Sequence, residues 1–172
     1  MNTAVYFDRV TSPLGPLLLA TDGVALTGAW FDGQRYPPSI DARWQRRPDL
    51  PILRRAATML AEYFDGGRAH FDIALAPAGT PFQRAIWEQI LAVPYGGTIA
   101  YRDLAIRTGR PAAVRAAGAA TGRNPLSIFI PCHRIVGADG TLTGYAGGLD
   151  RKRALLALER EAVIAESTRR AA

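Results

Sequence analysis

"IAYRDLAIRTGRPAAVRAAGAATG" (residues 99–122) reads as two short helices in succession, and the fold follows from how they are punctuated. Gly109 ends the first, Pro111 opens the second, and the second runs out near Gly122, as expected of a glycine behind a helix and a proline in its first turn. Two short helices joined by a glycine-containing turn of about three or four residues form the helix-turn-helix pattern. Ala112, Ala113, Val114, Ala116, Ala117, Gly118, Ala119 and Ala120 leave Arg115 as the only long side chain in the middle of the second helix. A helix this smooth can sit against a nucleic-acid groove or pack tightly inside its own domain, and both readings stay open. Arg115, alone on a short-chained face, is placed to reach into a groove or a base stack.

Upstream, Thr80, Pro81 and Gln83 supply an N-cap, a first-turn proline and a capping-box partner. Phe82, Ala85, Ile86, Ile90 and Val93 form the buried stripe of that helix, with Trp87 in the core. Before it, "AVYFDRVTSPLGPLLLATDGVALTGAWFDG" breaks into short β-rich runs at Ser-Pro, Gly-Pro and Asp-Gly turn signals, the hairpins of a small sheet. "PILRRAATMLAEYFDGG" is a helix with Ile52, Ala56, Met59, Leu60 and Phe64 on one face, stopped by Gly66 and Gly67, and "DIALAPAG" is an extended connector. The fold class is α+β: a small β-rich N-terminal domain with a helix (1–79), a mainly helical C-terminal domain containing the helix-turn-helix (80–165), and a tail (166–172).

Downstream, "NPLSIFIPCHRIVG" (124–137) places the chain's one cysteine, Cys132, between Pro131 and His133 at the end of an apolar run. A free cysteine is among the most buried residue types, so Cys132 reads either as a small hydrophobe or as a nucleophile. The second role needs a base or positive neighbours to form the thiolate, and His133 and Arg134 follow directly. On an extended strand Cys132 and His133 would face opposite sides, so contact between them requires a sharp turn or a bridging water. "ADGT" then reads as a hairpin turn centred on Asp139 and Gly140. Gly147 and Gly148 suggest backbone approaching a ligand or another segment. Asp150 caps a last helix with Ala154, Leu155, Leu158 and Ala162 inward and Glu159 at the edge of that stripe, where a carboxylate is ordinarily solvated.

Charge is divided unevenly. Residues 1–79 hold eight Arg against eight acids, so the whole formal charge of +6 lies downstream. Between Tyr101 and Arg134, six Arg stand against Asp103 alone. A single-sign field of this kind attracts polyanions, nucleic acid first among them. Of the 21 basic residues 20 are Arg, a compositional habit that explains Arg over Lys without explaining the asymmetry. At 48% hydrophobic residues the chain can bury a core. One cysteine excludes an internal disulfide, and the N-terminus lacks a basic region and a long apolar run, so a cytoplasmic protein without a membrane partner is expected. With one Cys and two distant His, His70 and His133, no structural-zinc spacing exists and no metal is expected. His70 reads as an ordinary surface or core histidine.

The Pro-Cys-His-Arg run, with "GTIAYRDLA" before it and "GYAGGLDRKRALLALE" after it, resembles the O6-alkylguanine-DNA alkyltransferases, the self-inactivating methylated-DNA-protein-cysteine methyltransferases. The likeness is close over residues 80–160; before them it rests on a β-rich region followed by a helix. It implies DNA repair by direct reversal, in which Cys132 takes the alkyl group of O6-alkylguanine, and of O4-alkylthymine, irreversibly and once per molecule. It implies a Cys132–water–His133–Glu159 relay, which raises Glu159 from rim residue to orienting carboxylate. Asn124 would be the hinge before the active-site loop, and Tyr101 would help rotate the nucleotide and donate to guanine N3. Arg115 would fill the gap left by a flipped base while Ala113 and Gly118 line a helix lying in the minor groove. Tyr145, Ala146 and Gly147 would line the base pocket. No cofactor is implied; the partner is double-stranded DNA carrying O6-alkylguanine, bound by a protein monomeric in solution, with cooperative assembly on DNA left open. Two departures from the family stand out: no zinc-site cysteines, and Ala146 where some relatives have Ser.

Overall fold

The turn signals Ser12-Pro13, Gly15-Pro16 and Asp22-Gly23 separate three strands, β1 (Val5–Val10), β2 (Leu17–Thr21) and β3 (Leu26–Phe31), paired antiparallel in sequence. This computed structural model describes residues 4–171. The chain divides into two units: the segment up to Ala78 together with Pro125–Phe129, and Gly79–Asn124 together with the chain from Ile130 onward.

In the first unit a short strand β4 (Trp44–Arg46) adds parallel to β1, giving the order β3-β2-β1-β4. Every residue of β2 is buried, as expected of a strand covered on both faces. Helix α1 (Pro51–Phe64) buries Leu53, Ala56, Met59, Leu60 and Tyr63. Its core stripe is therefore turned from the expected one, with Ile52 and Phe64 only half-buried at its margins. Each such large apolar side chain stabilises the unit by about 1.5–3 kcal/mol. The outer edge of β3 is covered twice. Leu26 pairs with Leu75 of the connector, and Ala29 pairs with Leu126, Ser127 N–H donating to Ala29 O at 2.9 Å. Covering an edge in this way removes a template for pairing with other chains. Residues 125–129, expected in the C-terminal domain, thus cluster with the first unit: Leu126, Ile128 and Phe129 are buried, and the Phe129 ring meets Phe71 at 4.6 Å. Ile128 has φ of 73°, a left-handed conformation that costs a β-branched residue on the order of 1–3 kcal/mol.

The second unit opens with α2 (Pro81–Leu91), whose capping box forms as the sequence predicts: Gln83 N–H donates to Thr80 Oγ1, and Thr80 N–H to Gln83 Oε1. Trp87 is buried and its Nε1 donates to Ala120 O at 2.9 Å, tying α2 to α4 (Val114–Gly122). Between them β5 (Ile99–Ala100) leads into α3 (Tyr101–Arg107), which Gly109 ends with φ of 71°. That is the left-handed closing position where glycine is favoured. Helix α4 starts at Val114 rather than at Pro111, because Arg110–Ala113 closes a turn with Ala113 N–H on Arg110 O at 2.8 Å. Proline in the second position of a turn favours that closure.

After α4, residues Cys132–Arg134 form a 3-10 turn and β6 (Ile135–Val136) pairs parallel with β5. The Asp139-Gly140 turn is present, but no strand follows it among the described residues, so the expected hairpin is a turn only. Helix α5 spans Leu149–Ala171, so the expected tail continues the helix. Its buried residues are Lys152, Leu155 and Glu159, while Ala154, Leu158 and Ala162 are half-buried. Two polar residues occupy the inward face because each finds partners there.

Candidate active site

An extended strand would send Cys132 and His133 to opposite sides. Here Pro131 precedes a 3-10 turn closed by Arg134 N–H on Pro131 O at 2.9 Å, and Cys132, His133 and Arg134 are all buried. Glu159 of α5 is fully buried and gathers the turn. Its Oε1 lies 2.7 Å from His133 Nε2 and accepts from Arg134 at 2.9 Å, while Oε2 accepts from Arg134 Nε at 2.9 Å and from Gly96 N–H at 3.0 Å. The solvated-rim reading of Glu159 is therefore wrong: a carboxylate can be buried when its lone pairs are filled by charged and backbone donors.

Burial opposes ionisation of Glu159, but the bonds from His133 and Arg134 outweigh it and hold the carboxyl down at about 2. An ionised Glu159 only accepts, so His133 Nε2 carries the proton and Nδ1 the lone pair. Burial lowers the pKa of His133 below its ordinary value, against the opposing pull of Glu159, so the ring is an uncharged acceptor at neutral pH. Burial raises the pKa of the Cys132 thiol, while Asn124 and the positive charge of Lys152 work in the opposite direction. Asn124 Nδ2 donates to Ile130 O at 2.8 Å and to Cys132 Sγ at 3.1 Å. A resting thiol with a donor on its sulfur and a neutral imidazole next in sequence can lose its proton when a substrate arrives and become a nucleophile.

Tyr101 stands at the start of α3, and its hydroxyl lies 3.0 Å from both Thr143 O and Gly144 O. Burial pushes its pKa up to about 12, which makes it a hydrogen-bond donor rather than an acid. Gly118 lies beside it: a Cβ there would stand 3.8 Å from the Tyr101 ring. Tyr145 is buried and its ring stands edge-on to His133 at 6.4 Å, Ala146 is half-buried, and Gly147 is buried with its carbonyl accepting from Arg151. Ala113 is the N-cap of α4, and Arg115 is exposed in its first turn. Asn124, Cys132, His133 and Glu159 thus form one cluster, while Ala113 and Arg115 belong to the surface of α4. His70 is exposed.

Three participants are not apparent in the sequence. Arg134 reads there only as a positive neighbour of the thiol. Gly96 has φ of 75°, which turns its N–H onto Glu159, and a Cβ there would meet Val163 at 2.9 Å. Lys152 is fully buried, with Nζ donating to Ile135 O at 2.5 Å and Thr143 O at 2.6 Å. Its being the one lysine among 21 basic residues is the available signal. Among the described residues no three His, Cys, Asp or Glu side chains converge as metal ligands, and no helix is long and apolar enough to cross a membrane.

Both halves of the chain match known proteins. Residues 81–161 match the 6-O-methylguanine DNA methyltransferase DNA binding domain, and residues 5–77 match the ribonuclease-like domain of the same family. The chain is 43% identical to the methylated-DNA–protein-cysteine methyltransferase of Haemophilus influenzae, over 96% of this chain and 92% of that protein. It is 44% identical to the protein of the same name from Methanosarcina barkeri, over 90% of this chain and 97% of that one. The solved structure of Mycobacterium tuberculosis OGT in complex with DNA superposes with a TM-score of 0.85 at 41% identity, covering 91% of this chain and 94% of that one. With both halves of the chain matched, and with its one cysteine set beside a buried histidine and glutamate, the chain belongs to the 6-O-methylguanine DNA methyltransferase family, the methylated-DNA–protein-cysteine methyltransferases.

Proposed function

We propose that this protein repairs double-stranded DNA by moving the alkyl group of O6-alkylguanine, and of O4-alkylthymine, onto Cys132, once per molecule and without a cofactor. The observation that carries the reading is the buried cluster in which Asn124 holds the Cys132 sulfur while Glu159 fixes the neighbouring His133 ring. His133 accepts the thiol proton through a water, and the sulfur attacks the alkyl carbon in line. The S–C bond forms as the C–O6 bond breaks, the electron pair goes to O6, and the proton lost by the thiol ends on the guanine. Tyr101 turns its hydroxyl from the Thr143 and Gly144 carbonyls to guanine N3, where a donor stabilises the charge developing on the leaving base.

The lesion is reached by flipping the nucleotide, which costs a few kcal/mol and less for a damaged pair. Helix α4 enters the minor groove along Ala113 and Gly118, and exposed Arg115 fills the space left in the stack. Tyr145, Ala146 and Gly147 line the base pocket. The protein acts as a monomer in the cytoplasm, and exposed arginines of the second unit hold the phosphates.

Intact-protein mass spectrometry after mixing with a duplex bearing one O6-methylguanine tests this, followed by peptide mapping. One methyl gained on the Cys132 peptide, with guanine restored in the DNA, is the expected result. Tight binding to the lesion without a mass change would make the protein a damage-binding module and overturn the transfer.

A further inference from the structure

We propose that Arg134 is a positioning residue for the transfer: by occupying both oxygens of Glu159 it makes the buried carboxylate part of a neutral pair, and so keeps His133 an uncharged proton acceptor. The inference rests on the proposed relay and adds the group that sets its charge.

The geometry is specific. Arg134 Nε donates to Glu159 Oε2 and one terminal nitrogen donates to Oε1, each at 2.9 Å, a bidentate pair with the Arg134 side chain nearly buried and Glu159 fully so. The other terminal nitrogen donates to Val93 O at 2.7 Å, and the guanidinium carbon lies 5.6 Å from the centre of the Tyr95 ring. Arg134 is therefore anchored outside the relay and can hold Glu159 in a fixed orientation. A planar fork is suited to this, whereas a point charge cannot take both oxygens.

His133 Nε2 shares Oε1 with Arg134. Without the guanidinium, a buried anion at 2.7 Å would raise the proton affinity of the ring, so that more of it would be protonated when the thiol needs an acceptor. Of the other groups facing the pair, Lys152 is the cation and its charge also favours the neutral ring, but its ammonium is held by carbonyls. Lys152 from α5 donates to Ile135 O and Thr143 O, Tyr145 meets His133 by its ring edge, Tyr95 packs over Arg134, and Gly96 offers only a backbone N–H. Cys132 is the group to be deprotonated. The direction agrees with the electrostatics of His133, where burial acts first and the positive charges of Arg134 and Lys152 also favour the neutral ring against the pull of Glu159.

The test uses free O6-benzylguanine, which needs no DNA contact, and follows benzyl transfer to Cys132 by intact mass from acid to neutral pH. In parallel, NMR titrates the His133 imidazole, with exposed His70 as a reference in the same spectrum. In Arg134→Met the titration of His133 and the acid limb of the rate profile both move up by about one pH unit, a loss of about tenfold on that limb. Arg134→Lys keeps the limb near the wild-type position but transfers more slowly. The double variant Arg134→Met/Glu159→Gln, which buries no unpaired charge and protects against simple misfolding, returns the limb to the wild-type position or below it. If Arg134→Met changes only the rate and leaves limb and titration in place, or if the double variant keeps the limb raised, Arg134 does not act through the charge of Glu159 and the inference falls. A wild-type protein that gains no benzyl group would sink the proposed transfer, while the His133 titration would still decide the role of Arg134.

Discussion

The side-chain amide of Asn124 donates to the sulfur of Cys132 at 3.1 Å, and the same nitrogen holds the Ile130 carbonyl at 2.8 Å. Both hydrogens of one amide are used, so the residue joins the end of α4 to the Cys132 thiol. Asn124→Asp replaces a donor with a negative acceptor beside the developing thiolate, and benzyl transfer should fall more than about tenfold. Asn124→Ala should also take one of two donors from the buried Ile130 carbonyl, which keeps the Cys132 N–H at 2.8 Å, lowering stability by about 1 kcal/mol in denaturant titrations. Full rates in both variants would show that the contact is incidental.

Acid should destabilise the protein in two stages. His133 has a lowered pKa in the fold, so its contribution is present above its ordinary value of 6.5 and is lost as pH falls below it. Glu159 is held at about 2 against 4.5, so it contributes about 3 kcal/mol above 4.5, lost as pH falls toward 2. Denaturation midpoints measured against pH should show both slopes, with His133→Gln lacking the first and Glu159→Gln the second.

Lys152 should matter to stability more than a surface lysine does. Its ammonium serves the carbonyls of Ile135 and Thr143 from a fully buried position. Lys152→Met fills the same space but takes the ammonium from Ile135 O and leaves Thr143 O only the Tyr101 hydroxyl, so it should cost about 1–3 kcal/mol by chemical denaturation. A loss below about 0.5 kcal/mol, the scale of an ordinary surface substitution, would contradict this.

Substitution of Arg115 should separate DNA handling from chemistry. It is exposed on α4, outside the cysteine cluster. Arg115→Ala should slow repair of a duplex carrying O6-methylguanine by at least about tenfold, as expected if it offsets part of the flipping cost. Reaction with free O6-benzylguanine should stay near the wild-type rate. Equal losses on both substrates would make Arg115 structural.

Local chemistry is legible in the sequence where one residue type decides an outcome. The Thr80–Gln83 capping box, the stop at Gly109 and the antiparallel strands between the proline and glycine turns follow from such signals. Tertiary partners are less legible. Period alone cannot say that Lys152 and Glu159 occupy the inner face of α5, because a charged residue is buried only when distant donors or acceptors meet it. Nor does Pro111 reveal whether it opens a helix or closes the turn before one; the bond from Ala113 to Arg110 decides it. At the site, the Cys-His pair is conspicuous, whereas the backbone donor at Gly96 lies in a turn whose sequence states only that it bends.

The excursion of residues 125–129 makes the two units inseparable as gene fragments. A cut at residue 79 hands Leu126, Ile128 and Phe129 to a piece that lacks the strand and aromatic ring they are buried among, and strips the other piece of the cover on β3. Neither half is a transplantable module. Recombination between relatives would preserve both cores only if this pentapeptide were inherited together with the sheet, although the gene places it just upstream of Cys132.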